Sequence, residues 1–279
     1  CIRDRVITDI QRQYVEAGCD VITANTFGAN AHKLDGAATV ADVFAAAVAC
    51  ARETGARYVA GDIGPIGALL RPLGTLSFDE AYDLFAEEVR AGVDAGVDLF
   101  IIETMTDLAE IKAAVLACRE NSDLPVFATM TFEEDGRTFL GTSPEVAAIT
   151  LDAIGADVLG INCSQGPAEL RGLAARMLTV TDKPVMVQAN AGLPHVDDDG
   201  NTVFDIQAPE YAEAVAGMIA DGVSVVGGCC GTTPAHMAAL RTLIDNHTPS
   251  PRHRKPSMSV TSAQTCLLYT SDAADEARS

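Results

Sequence analysis

The chain has 279 residues, of which 48% are hydrophobic, with eight cysteines, no tryptophan and a formal net charge of −20. That charge argues against a nucleic-acid partner, because binding would have to overcome phosphate repulsion. There is also no run of 18 or more apolar residues to span a bilayer and no secretion signal. A cytoplasmic protein of one large or two small domains is expected, and irregularly spaced cysteines in such a chain do not read as a disulfide framework.

The first residues, Cys1-Ile2-Arg3-Asp4, can be encoded by TGT-ATA-AGA-GAC followed by AG. The reverse complement of that string encodes Cys266-Leu267-Leu268-Tyr269 and begins the codon of Thr270 near the other end. The two termini can therefore be written as one inverted repeat and resemble a translated sequencing adapter. Residues 1–5 and 266–279 are accordingly expected to lie outside the natural protein.

A helix over 6–17 is followed by Gly18 and a strand near 21–25. The same junction recurs as TGARYVAGD at Gly55, AGVDLFIIE at Gly96, IGADVLGIN at Gly155 and DGVSVVGG at Gly222, placing strands near 58–62, 98–103, 157–162 and 223–227. Glycine just past a helix supplies the left-handed cap. The apolar runs that follow are too continuous for half-exposed strands and suit parallel strands buried on both faces. Two more strands, 126–131 and 185–190, enter through Pro125 and Pro184, where the missing N–H costs no ladder bond. Among the helices, Ser77 with Glu80 predicts a capping box. Ser143 before Pro144 and Thr233 before Pro234 predict an N-cap with proline at the first helical position. Leu108, Ile111, Val115 and Cys118 form a buried stripe, and Cys19 and Cys50 also read as core.

Strict alternation of strand and helix leaves an open doubly wound sheet or a closed barrel. No glycine-rich phosphate loop follows an early strand. Seven strands behind an orphan helix fit an α/β fold of the (β/α)8 TIM barrel type, over residues 6–248, truncated so that the first strand is missing. Residues 249–265, basic and rich in proline and serine, read as a linker to a missing downstream domain.

In such barrels the active site lies at the C-terminal strand ends. Here those ends carry Asn25, Asp62, Glu103, Thr131, Asn162-Cys163, Asn190 and Cys229-Cys230. Three thiols from two separate strand ends suit a catalytic zinc, which takes three protein ligands and keeps one position open. Adjacent strand residues point to opposite faces. Cys229 and Cys230 can thus share a metal only if the backbone bends, which Gly227-Gly228 and Gly231 permit. A vicinal disulfide and plain core thiols are competing readings of the same residues. Asn25 and Asp62 are further candidate substrate contacts, whereas His195 and His236 are not needed as ligands.

GINCSQGPAEL, QANAGLP and VVGGCCGTTPAHMAAL resemble the signature segments of the homocysteine S-methyltransferase family, and the likeness runs over about residues 6–250. Within that family, ANTFGAN, the NAGLP loop and TSPE are most similar to the homocysteine-binding domains of its cobalamin-dependent, methionine-forming members. The resemblance implies a zinc ion held by Cys163, Cys229 and Cys230. It also implies an amino-group contact from Glu103 and an asparagine near the metal at Asn190. The implied reaction is methyl transfer to the thiol of homocysteine, giving methionine. Cobalamin and methyltetrahydrofolate are expected on missing domains, with the cobalamin-bearing domain as partner. Family members begin with a DG-x-x-GT strand, which this chain lacks. Two rival readings are a betaine- or S-methylmethionine-dependent homocysteine methyltransferase and a non-enzymatic barrel with a structural zinc.

Overall fold

Seven parallel strands alternate with helices in the computed structural model, which describes residues 2–197, 200–245 and 258–269. Helix α1 (Ile2–Glu16) leads into β1 (Val21–Thr23), and α2 (Ala31–Leu34) and α3 (Val40–Glu53) precede β2 (Tyr58–Ile63). Next come α4 (Phe78–Ala95), β3 (Leu99–Met105), α5 (Leu108–Asn121), β4 (Val126–Met130), α6 (Pro144–Ala153) and β5 (Val158–Asn162). After α7 (Pro167–Leu178) and β6 (Val185–Ala189), a small hairpin of β7 (His195–Val196) and β8 (Thr202–Val203) interrupts the alternation. The order then resumes with α8 (Ala208–Asp221), β9 (Val225–Gly228) and α9 (Pro234–Ile244). Strands β10 (Met258–Thr261) and β11 (Cys266–Tyr269) pair antiparallel. They occupy part of the segments read from sequence as linker and adapter translation; residues 249–257 and 270–279 of those segments lie outside the described residues.

The main sheet is hydrogen-bonded in the order β1-β2-β3-β4-β5-β6-β9, every pair parallel, and curls as a (β/α)8 barrel that is short of one strand. All seven expected strands are present, each within two residues of its expected bounds. The five helix-ending glycines have φ between 78° and 114°. At α4, Ser77 Oγ accepts from Glu80 N at 3.2 Å while Ser77 N donates to Glu80 Oε2 at 2.8 Å, closing the expected capping box. At α9, Thr233 N donates to His236 Nδ1 at 3.2 Å, and His236 Nε2 lies 2.9 Å from Ile206 O. His236 therefore serves to cap a helix.

Successive strand side chains alternate between faces, and the apolar residues separate accordingly. One cluster joins Ala60, Leu99, Ile101, Val158 and Met186 with Val21, Phe127 and Val225, so every strand contributes to the barrel interior. The other faces pack outward on the helices and include Ile22, Val59, Phe100, Ile102, Leu159 and Val187, all buried. Each such side chain contributes roughly 1.5–3 kcal/mol by leaving water. The fit is tight around Phe100: a Cβ at Gly92 of α4 would approach its Cε1 to 2.6 Å. An alanine there would push α4 off the sheet.

Strands β1 and β9 do not pair with each other. A cleft of about 1050 Å³ opens beside them into the barrel, lined by Ile10 and Tyr14 of α1, Thr23, Ile101, Val226 and Cys229 among others. Gln11 Oε1 and Gln188 Oε1 are buried without a hydrogen-bond partner among the described residues, and both residues line this cleft. No helix among the described residues is long and apolar enough to cross a membrane.

Candidate metal centre

Following the interior face upward by twos leads from Ala60 to Asp62, from Ile101 to Glu103, from Val158 to Asn162, from Met186 to Asn190 and from Val225 to Cys229. The apolar barrel lining thus gives way to polar side chains at the C-terminal mouth. Cys163 and Cys230 follow inward-facing positions and would point outward if the strands continued. Both strands end instead. Cys163 takes φ 62° and Ser164 φ 58°, and Gly231 takes φ 77°. A Cβ at Gly231 would overlap the Phe204 ring, so the bend after the cysteine pair needs glycine for space as well as for conformation.

Backbone bonds hold these turns. Cys163 N donates to Gln188 O at 2.9 Å, Cys229 N to Ala189 O at 2.8 Å, and Ala191 N to Cys230 O at 2.9 Å. Tyr211 of α8, fully buried, donates to Ala189 O and Gly227 O, bracing the ends of β6 and β9 beside the cysteines. Asn190 Oδ1 accepts from Cys230 N at 3.1 Å.

The result is a cluster of three thiols. The Sγ atoms of Cys163, Cys229 and Cys230 all lie within 4.8 Å of one another, and those of Cys163 and Cys230 are 3.8 Å apart. All three are free thiols in this structure, and Cys230 is exposed, which does not suit a core thiol. Among the described residues this is the one such cluster of potential metal ligands. A hydrogen bond from Cys229, with others from the Ser164 backbone, Cys230 and Asn190, pulls the Cys163 thiol down to about 5 against the cost of burial. The same sharing pushes Cys229 upward, while burial first and then the Cys163 charge raise Cys230. Three soft sulfur donors with an exposed side fit a tetrahedral soft-metal centre with one position free.

Glu103 is held at about 7 by burial, reinforced by the charge of Cys163. Asp62 is raised well above the ordinary carboxylate range by burial and by Glu103, and its Oδ1 has no hydrogen-bond partner among the described residues. Charge effects thus link Glu103 to Asp62 on one side and to Cys163 and Cys229 on the other. Asn190 touches both Cys163 and Cys230. Asn25 lies beyond the end of β1 and is exposed. His195 is exposed and pairs with Asp205 at 3.4 Å.

Sequence reasoning placed Asn162 at a strand end beside Cys163 but gave it no role. It is fully buried, and its side chain joins β5 to β3 and β4 through Thr104 and Thr129. Its position immediately before Cys163 was the available signal.

Residues 2–244 match the homocysteine S-methyltransferase family. The chain is 36% identical over 288 residues to methionine synthase of Mycobacterium tuberculosis, covering 97% of this chain and 24% of that protein. It is 36% identical over 289 residues to methionine synthase of Mycobacterium leprae, covering 96% of this chain and again 24% of the relative. The chain therefore spans about a quarter of the length of these curated relatives. Its fold matches the metallated form of the homocysteine methyltransferase MmuM from Escherichia coli with a TM-score of 0.71, at 22% identity, over 85% of this chain and 84% of that one.

Proposed function

The chain belongs to the homocysteine S-methyltransferase family, and we propose that it is the homocysteine-activating domain of a zinc-dependent methionine synthase. The observation that carries this reading is the trio of thiols at the barrel mouth, with every Sγ within 4.8 Å of the others. Relatives named methionine synthase that are about four times longer support the assignment to one domain of a larger enzyme. We assign the barrel to residues 6–248 and the connection onward to residues 249–265.

Zinc bound by three thiolates supplies a Lewis acid that draws the substrate thiol into its thiolate form near neutral pH. The protein's part is to hold and orient. Cys163, Cys229 and Cys230 would bind the metal and leave its fourth position facing the pocket. Their three charges exceed the metal's two, so a substrate sulfur there stays electron-rich and nucleophilic. Glu103, with Asp62 near it, would receive the ammonium group of homocysteine; a cation there would offset the burial that raises both carboxyls and the charge of Glu103 on Asp62. Asn190 would steady Cys163 and Cys230. A homocysteine sulfur held there would attack the methyl carbon of the donor, leaving the bonding electrons on the donor and releasing its thiol proton to solvent. The methyl donor would be a cobalamin held on another domain of the full-length chain, with methyltetrahydrofolate as the methyl source.

The test is X-ray absorption at the zinc edge of the zinc-loaded chain. Adding homocysteine should raise the sulfur ligand count from three to four. A count that stays at three would return the site to a structural role.

A further inference from the structure

We propose that Asn162 is a positioning residue that sets Glu103 for the substrate by pinning a bulge in β3, and so couples the amino-acid end of the pocket to the metal end. The inference rests on the reading of Glu103 as the ammonium contact.

Strand β3 is irregular where the chemistry begins. Its register with β4 runs Ile102 to Ala128 and then Met105 to Met130, so one extra residue is accommodated at Glu103-Thr104. A bulge of this kind re-aims a side chain and often sits beside an active site. Thr104 takes φ 62°. A β-branched residue is rare in that region and stays there only when its surroundings hold it.

The holding is done by one side chain. Asn162 Oδ1 accepts from Thr104 N at 2.8 Å and from Thr129 Oγ1 at 2.8 Å, and Asn162 Nδ2 donates to Thr104 Oγ1 at 2.8 Å. Thr104 is thus gripped at both its backbone and its hydroxyl. The residue before it is Glu103, and the residue after Asn162 is Cys163. Cys163 has its own anchor in Gln188 O, and Thr131 Oγ1 bonds Asn162 O at 3.0 Å. Both anchors are independent of the Asn162 amide. Losing that amide would release Thr104 and let Glu103 drift, while the thiol cluster keeps its backbone supports. Oriented hydrogen bonds behind a site residue typically matter by about 10–100-fold.

The experiment uses the intact chain loaded with cobalt(II) in place of zinc. Thiolate-to-metal charge-transfer absorption reports the cysteines, and calorimetric titration with homocysteine reports the pocket. Asn162→Leu should keep the cobalt–thiolate spectrum and stoichiometry while homocysteine binding weakens about tenfold or more. Asn162→Leu/Thr104→Gly should recover most of that loss, because glycine adopts the left-handed conformation unaided. If leucine prevents folding, Asn162→Ala, which leaves room for water at the freed groups, is read in the same way. Unchanged homocysteine affinity in a folded Asn162 variant would overturn the proposal, as would a loss that glycine at 104 does not relieve. If the unsubstituted chain binds cobalt but no homocysteine, it is instead the reading of the pocket that fails.

Discussion

Cys163 Sγ lies 3.8 Å from Cys230 Sγ, although 67 residues separate the two in the chain. Their approach depends on two different strand ends, β5 and β9, which are not neighbours in the sheet; β6 lies between them. Each end must turn inward just after its last paired residue.

Removing any one thiol should abolish tight metal binding. The chain as purified under reducing conditions is expected to hold about one zinc, and Cys163→Ala, Cys229→Ala and Cys230→Ala should each release it. Metal analysis of the Cys229→Ala/Cys230→Ala variant is the decisive measurement. Full zinc in that protein would put the metal centre elsewhere.

Glu103→Gln should weaken homocysteine binding and leave the zinc in place. A charge-assisted contact of this kind contributes roughly 1.5–3 kcal/mol, or about one to two decades in affinity. Calorimetry with the zinc-loaded chain reads it, and an unchanged dissociation constant would make Glu103 a structural carboxyl.

Joining an eighth strand of the DG-x-x-GT type ahead of α1 should stabilise the protein. Strands β1 and β9 each present an unpaired edge to the cleft, and unpaired edges invite aggregation. Two apolar side chains buried there would contribute about 3–6 kcal/mol, and about 2–4 °C per kcal/mol puts the rise in Tm at roughly 6 °C or more. Zinc affinity should rise as well, since Cys229 borders the cleft. Equal melting temperatures and equal zinc affinity with and without the strand would refute this account of the gap.

Stability should fall as pH rises through neutrality. Burial holds Glu110 at about 7 against an ordinary value of 4.5, although its Oε1 accepts a bond from Ile66 N at 2.7 Å. Between those two values the folded chain keeps a proton that the unfolded chain has released. Folding is therefore favoured at the acid end of the window and loses that contribution as pH climbs from about 4.5 towards 7. Glu88, buried with both carboxylate oxygens unpartnered among the described residues, is displaced in the same direction by burial. Urea midpoints should be lower at pH 8 than at pH 5.5, and Glu110→Gln, which keeps the acceptor for Ile66, should flatten the slope. A slope identical in the two proteins would rule out Glu110 as its source.

The sequence by itself determined the order and the places of the elements. Apolar runs after helix-ending glycines marked five strands, Pro125 and Pro184 marked two more, and Ser77 with Glu80 marked the start of α4. All of these are local signals, because a cap or a buried strand is decided by residues within a few positions of one another. The same reading found the three cysteines, since the strand end is itself local. It passed over α2 and the β7–β8 hairpin, whose runs of four and two residues are too short for any periodicity to emerge. What only the tertiary structure decided was how those ends meet. Asn162 reaches Thr104 across 58 residues, the bulge at Glu103-Thr104 exists only in the register of β3 against β4, and the cleft exists only because β1 and β9 stand apart. These features follow from the curl of the sheet and the alignment of its strands, which side chains far apart in sequence settle together, so that no single segment carries the information.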